Sequence, residues 1–145
     1  MHQRDDARPL WLGGVRFDGE AGLAGHSDGD AVCHALADAL LGAAALGDIG
    51  QHFPESAPET AGIPGRELLS RTVALLRDTG FAPVACDVTI LCTTPVIAPQ
   101  RDRMRRALAD VLGVPIERVS VKGTRPEGLG LTGDGIGCFA LATVR

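Results

Sequence analysis

The sequence predicts an α/β chain of the α+β sandwich kind, in which a mixed sheet carries helices packed on one face. Three observations predict it. Segments with apolar residues at helical spacing interleave with segments in which apolar and polar residues alternate. The two kinds succeed each other along the chain, which favours one layered sheet. The chain has 145 residues, 45% apolar and 22% charged, the size and composition of a single folded domain. A net charge of −4 excludes a general attraction for nucleic acid or anionic membrane, and 3% aromatics with no tyrosine argue against a base-stacking surface. No apolar run approaches the length of about 18 residues that a membrane span needs, and the first residues lack a signal-peptide core; a cytoplasmic location is expected.

In chain order, Pro9 to Val15 is an apolar stretch closed by Gly-Gly, a strand entering a turn. The stretch His26-Ser27-Asp28-Gly29-Asp30 opens a long helix, with Ser27 or Asp28 as the expected cap. Val32, Leu36, Ala39, Leu40, Ala43 and Leu46 share one face of it, and Gly47 stops it. Residues 48–65 are rich in proline and glycine and are expected to form a long loop. A second helix over 66–78 buries Leu68, Leu69, Val73 and Leu76. Val84 to Thr93 alternates as a strand, and Pro99 to Leu112 forms a third helix whose arginines 101, 103, 105 and 106 make a solvated or intersubunit face. Strands over Ile116–Lys122 and Gly137–Val144 complete the sheet.

Chemistry concentrates in three places. Asp30, His34 and Asp38 recur every four residues, so their side chains are expected to stack along one line of the first helix. An imidazole flanked by carboxylates suits a metal ligand whose second nitrogen is held by an acid, and equally a solvated helix face. His26 and Ser27 precede the helix, where free N–H groups favour an anion or simply form a cap. The run KGTRPEGLGLTGDGIG (122–137) permits close backbone approach to a ligand, yet it is neither a Walker loop nor a dinucleotide fingerprint. Cys33, Cys86, Cys92 and Cys138 show no ligand spacing and are expected to be buried, reduced thiols.

Three segments together resemble one family: GHSDGDAVCHALADALLGAAALGDIGQHFP (25–54), DVTI (87–90) and EGLGLTGDGIG (127–137). They are similar to the 2-C-methyl-D-erythritol 2,4-cyclodiphosphate synthase family of non-mevalonate isoprenoid biosynthesis. The resemblance implies a homotrimer with active sites at subunit interfaces. It implies zinc held by His2 and His34, and a second divalent ion, Mg2+ or Mn2+, on Glu127. The zinc carboxylate of the family pattern would fall one place before Met1, so the single domain 1–145 is expected to lack the first N-terminal strand and its aspartate. The implied reaction is an intramolecular phosphoryl transfer: the 2-phosphate of 4-diphosphocytidyl-2-C-methyl-D-erythritol 2-phosphate attacks its own β-phosphorus, and CMP leaves.

Site residues follow from the same resemblance. His26 and Arg125 are expected to be catalytic. His26 and Ser27 would touch the phosphorylated methylerythritol end, with Asp48, Ile49 and Gly50 on the diol and Phe53 and Glu55 beside them. Cys92, Thr93, Thr94 and Pro95, with Thr124 and Glu127, would frame the cytidine and its phosphates; Leu131 and Asp134 are expected substrate contacts in the glycine loop. Several positions depart from the family pattern. Arg125-Pro126 replaces threonines, Val96 replaces a lysine, and Asp134 and Ile136 replace an arginine and a glutamate. Those departures sustain an alternative, a non-catalytic trimeric homologue that binds a nucleotide or isoprenoid phosphate.

Overall fold

The computed structural model describes residues 1–54 and 56–145, so the expected contact at Glu55 lies outside the described residues. Strands β1 (Arg4–Leu12) and β2 (Val15–Leu23) form an antiparallel hairpin. Leu12 faces Val15, so Gly13-Gly14 alone makes the turn, both with positive φ (59° and 71°). That is the backbone of a two-residue hairpin turn whose twist matches the strands. Leu10, Leu12, Val15 and Phe17 point into the core. The expected strand thus begins five residues earlier than Pro9, and β2 is an additional element: polar Arg4-Asp5-Asp6 and the break at Asp18-Gly19-Glu20 hide both from a search for alternation.

The main sheet has β3 (Pro83–Leu91) at its centre, parallel to β4 (Val119–Thr124) and antiparallel to β5 (Gly137–Val144). Cys86, Val88 and Ile90 face inward, as the alternation predicts. Helices α1 (Ala31–Ala43) and α4 (Arg101–Leu112) pack on that inner side, and α3 (Gly65–Asp78) packs against both of them. The outer side leaves Phe139 and Leu141 of β5 67% and 73% exposed. His2 joins hairpin and sheet by exchanging two backbone hydrogen bonds with Ile136, each 3.0 Å.

Other boundaries shift for local reasons. Ile116–Arg118 is a 3-10 turn ahead of β4 rather than its beginning, and Ala98–Gln100 is another ahead of α4. Residues 48–65 contain the short helix α2 (Ile49–His52), capped by Asp48, and a 3-10 turn at Pro58–Thr60. Helix α1 ends at Ala43 because Ala45 turns left-handed (φ 57°). Its buried face is wider than the predicted stripe: Cys33, Ala37 and Leu41 are buried while Ala43 is exposed, since α1 packs on both β5 and α3. Arg105 is not simply solvated; its guanidinium donates to the carbonyls of Val119 (2.9 Å) and Ile116 (3.1 Å).

The cap of α1 is Asp30, not Ser27 or Asp28. Its carboxylate is fully buried and accepts four backbone N–H groups: Gly13 (2.8 Å), Gly14 (2.7 Å), Val32 (3.1 Å) and Cys33 (3.0 Å). One side chain therefore ties the hairpin turn to the start of α1. Asp28 adds α3 by accepting from Gly65 N at 2.8 Å. A Cβ at Gly65 would lie 2.6 Å from Asp30 Cβ, so glycine is required for the two helix starts to meet. Asp30→Ala strands four donors in the interior and is expected to cost at least about 3 kcal/mol in urea denaturation, with Asp30→Asn, which keeps one acceptor oxygen, falling between it and the parent.

Candidate functional site

Two clefts gather most of the residues singled out above. The first, about 230 Å³, is lined by His2, His26, Ser27, His34, Ile49, Gly50 and Phe53, with Gly25, Thr60, Ile63 and Leu68. The second, about 360 Å³, is lined by Cys92, Thr93, Pro95, Thr124 and Arg125, with Val96, Ile97, Ala98, Arg101 and Gly123. The two share no lining residue. Neither is lined by Asp48, whose carboxylate caps α2 through Gln51 N (3.0 Å), or by Thr94, which accepts from Arg4. Glu127, Leu131 and Asp134 sit exposed on the glycine loop, Glu127 with φ 48°.

In the first cleft the expected line of Asp30, His34 and Asp38 does not form. Asp30 is buried as the α1 cap, and Asp38 accepts from Ile49 N at 2.8 Å. His34 meets His2 and Ser27 instead: His2 Nε2 lies 3.1 Å from His34 Nδ1, and Ser27 Oγ lies 2.9 Å from His34 Nε2. Helical spacing stacks side chains but does not report which of them the cap and the next loop consume.

The tautomers follow from the partners. His2 Nδ1 is 2.9 Å from the carbonyl of Ala24, which only accepts, so Nδ1 carries the proton and Nε2 presents a lone pair. Nε2 then accepts from His34 Nδ1–H, which leaves His34 Nε2 to accept from the Ser27 hydroxyl. Ser27 Oγ also accepts from Gly29 N (3.1 Å). Because a hydroxyl both donates and accepts, Ser27 can reverse its bond and accept from His34 Nε2–H, the tautomer in which Nδ1 presents a lone pair that could face a metal.

Such an ion fits the two nitrogens. Ligands at the usual Zn–N distance on a tetrahedral centre lie about 3.3 Å apart, close to the 3.1 Å separation seen. The far nitrogen of each ring is anchored, as metal-bound imidazoles require. Burial, the largest effect, pushes both histidines below their usual range, and His2 lowers His34 further; both are held neutral, the form that ligates. Among the described residues no group of three His, Cys, Asp or Glu side chains is placed to hold a metal; the described donors at this point are the two imidazoles.

The second cleft is basic. Arg101 and Arg125 line it, and no carboxylate does. Sequence reasoning passed over Arg101 as part of a helix face, and missed Ile63 and Leu68 beneath the histidines; the apolar period of α3 already marked Leu68, but only as core. Cys33, Cys86 and Cys92 are buried, as expected, whereas Cys138, whose β5 segment alternates between the two sheet faces, is only half-buried; all four are free.

Fold and clefts define an α+β protein, a two-stranded hairpin and a three-stranded mixed sheet with helices, built around a paired-imidazole centre and a separate basic cleft. The chain belongs to the YgbB family, whose sequence model matches residues 1–145, the family of the 2-C-methyl-D-erythritol 2,4-cyclodiphosphate synthases. It is 47% identical over 146 residues to the synthase of Symbiobacterium thermophilum, covering 99% of this chain and 93% of that one. It is 52% identical over 143 residues to that of Marinobacter nauticus, covering 97% and 90%. A solved 2C-methyl-D-erythritol-2,4-cyclodiphosphate synthase in a CDP-bound form superposes with a TM-score of 0.90 at 29% identity, covering 99% of this chain and 95% of that one.

The depressed histidines give stability a direction with pH. Between their folded values and the ordinary 6.5, the unfolded chain binds more protons, so stability is full above that window and is lost as pH falls through it. The metal-free protein is expected to melt at lower temperature at pH 5.5 than at pH 7.5. Replacing His34 by Gln should flatten that dependence in a thermal-unfolding series.

Proposed function

We propose that this chain converts 4-diphosphocytidyl-2-C-methyl-D-erythritol 2-phosphate to 2-C-methyl-D-erythritol 2,4-cyclodiphosphate and CMP, a lyase step of non-mevalonate isoprenoid biosynthesis. The observation that carries this reading is the His2–His34 pair, with ring nitrogens 3.1 Å apart and both outer nitrogens anchored. His2 Nε2 and His34 Nδ1 would hold zinc. When bound, the metal supplies Lewis-acid polarisation of a phosphate oxygen.

Because nucleophile and electrophile belong to one molecule, the residues have to position it and offset its charge. His26 lines the histidine cleft and faces the phosphorylated methylerythritol end, with Ile49 and Gly50 of α2 beside the diol. The basic cleft takes the cytidine between residues 92–98 and Thr124, and Arg125 offsets phosphate charge in place of the family's threonine. Its planar fork serves that purpose with a longer reach than a hydroxyl. Glu127, from the glycine loop, would hold the second divalent ion, Mg2+ or Mn2+.

The two clefts are completed by copies of the chain. The outer sheet face, with Phe139 and Leu141 exposed, is the apolar surface that a homotrimer covers, bringing the histidine cleft of one subunit to the nucleotide cleft of the next. Four free thiols suit the reducing cytoplasm.

A second reading, a non-catalytic trimer that binds a nucleotide or isoprenoid phosphate, is favoured by the two-imidazole donor set and by Arg125-Pro126. Release of CMP from the synthetic substrate, with zinc and magnesium supplied, separates the two. Turnover that falls by about 100-fold or more in His34→Ala is the expected result. Nucleotide binding with no CMP release by the parent chain favours the second reading.

A further inference from the structure

We propose that Arg8 is a positioning residue that sets the orientation of the His26–Ser27 loop and so aims the His26 backbone N–H at the phosphate of the substrate, an inference that rests on the proposed function of the histidine cleft. Arg8 lies on β1, outside both clefts. Its guanidinium donates to three carbonyls at the end of β2 and in the loop that follows it: Leu23 (3.1 Å), Gly25 (2.8 Å) and Ser27 (2.6 Å). Among the described residues it makes no ion pair, so its five donors are free for the loop.

The consequence follows from peptide geometry. In a trans peptide the C=O of one residue and the N–H of the next point in opposite directions. Drawing three carbonyls toward Arg8 turns the N–H groups of Ala24, His26 and Asp28 away from it. Two of these find fixed partners: Ala24 N donates to Gln3 O at 2.9 Å, and Asp28 N donates to Ile63 O at 3.2 Å. The third, His26 N–H, has no partner among the described residues, and Gly25, His26 and Ser27 line the cleft. The loop is held from behind by a charge, and of the three amides turned from it His26 N–H alone is unspent, at a residue that lines the cleft. The carbonyl of Ala24 is also the anchor of His2 Nδ1, so the same loop serves the metal ligand.

A lysine at this position keeps the charge but lacks the planar fork that reaches three carbonyls at once. Arg8→Lys and Arg8→Ala are therefore compared in the full chain with metals supplied, by KM for the complete substrate and by affinity for CDP, which lacks the phosphorylated methylerythritol end. The expected result for Arg8→Lys is a KM about tenfold higher, the equivalent of one lost hydrogen bond, with CDP affinity within about twofold of the parent. Faster amide hydrogen exchange at Ala24 and Asp28 is expected alongside. An unchanged KM in Arg8→Lys overturns the proposal, and so does an equal loss of CDP affinity, which marks general damage. If Arg8→Ala does not fold, Arg8→Lys decides alone. A parent chain without turnover overturns the reading of the reaction, and Arg8 is then judged by exchange: faster at those two amides supports its role, unchanged refutes it.

Discussion

The buried carboxylate of Asp30 is the constraint on which the rest of this structure depends. It is fully inaccessible and spends its two oxygens on four N–H groups, two from the Gly13-Gly14 turn and two from the first turn of α1. A buried charge is tolerable only where such donors surround it, and here the donors come from two separate elements. The hairpin and the helix are thereby held in one register. Gly65, which a side chain would drive into Asp30, brings the start of α3 to the same point. Everything the site needs is referenced to that junction, because His34 sits one turn along α1 and His2 precedes β1.

Seen from this junction, the histidine cleft is a pair of pre-oriented, neutral imidazoles. The carbonyl of Ala24 fixes His2, the hydroxyl of Ser27 fixes His34, and burial keeps protons off both. Ser27 lines the cleft, and its oxygen already bonds Gly29 N and His34. Its hydroxyl can nonetheless turn when His34 changes tautomer, so a structural bond and a metal-responsive one coexist in a single group. Arg8 extends the arrangement to the loop backbone. An acidic chain that handles a polyanion relies on local donors of this kind rather than on overall charge.

The layers were legible because their signals are local. The alternation around Val88 and Ile90 and the apolar period of Leu68, Leu69, Val73 and Leu76 identify β3 and α3 without any knowledge of partners. What was not legible depends on contacts distant in sequence. Asp30 reads equally as a cap, a surface acid or a ligand until Gly13 and Gly14 are brought to it from 17 and 16 residues away. His2 and His34 are 32 residues apart, and only the family resemblance paired them before the fold did. Arg8 carried no signal at all: an arginine in a polar strand is ordinary until its three carbonyls are seen together. The site residues 92, 93, 95, 124 and 125 converge because β3 and β4 are parallel neighbours whose ends open on the same side.

The central claim is that this fold prepares two imidazole nitrogens for one metal ion. X-ray absorption at the zinc edge, recorded on the purified chain loaded with one equivalent of zinc, tests it most directly. The account predicts two histidine nitrogens in the zinc shell at about 2.0–2.1 Å, both lost when His2 and His34 are replaced by glutamine. A zinc shell without imidazole, or one unchanged by those substitutions, would contradict it.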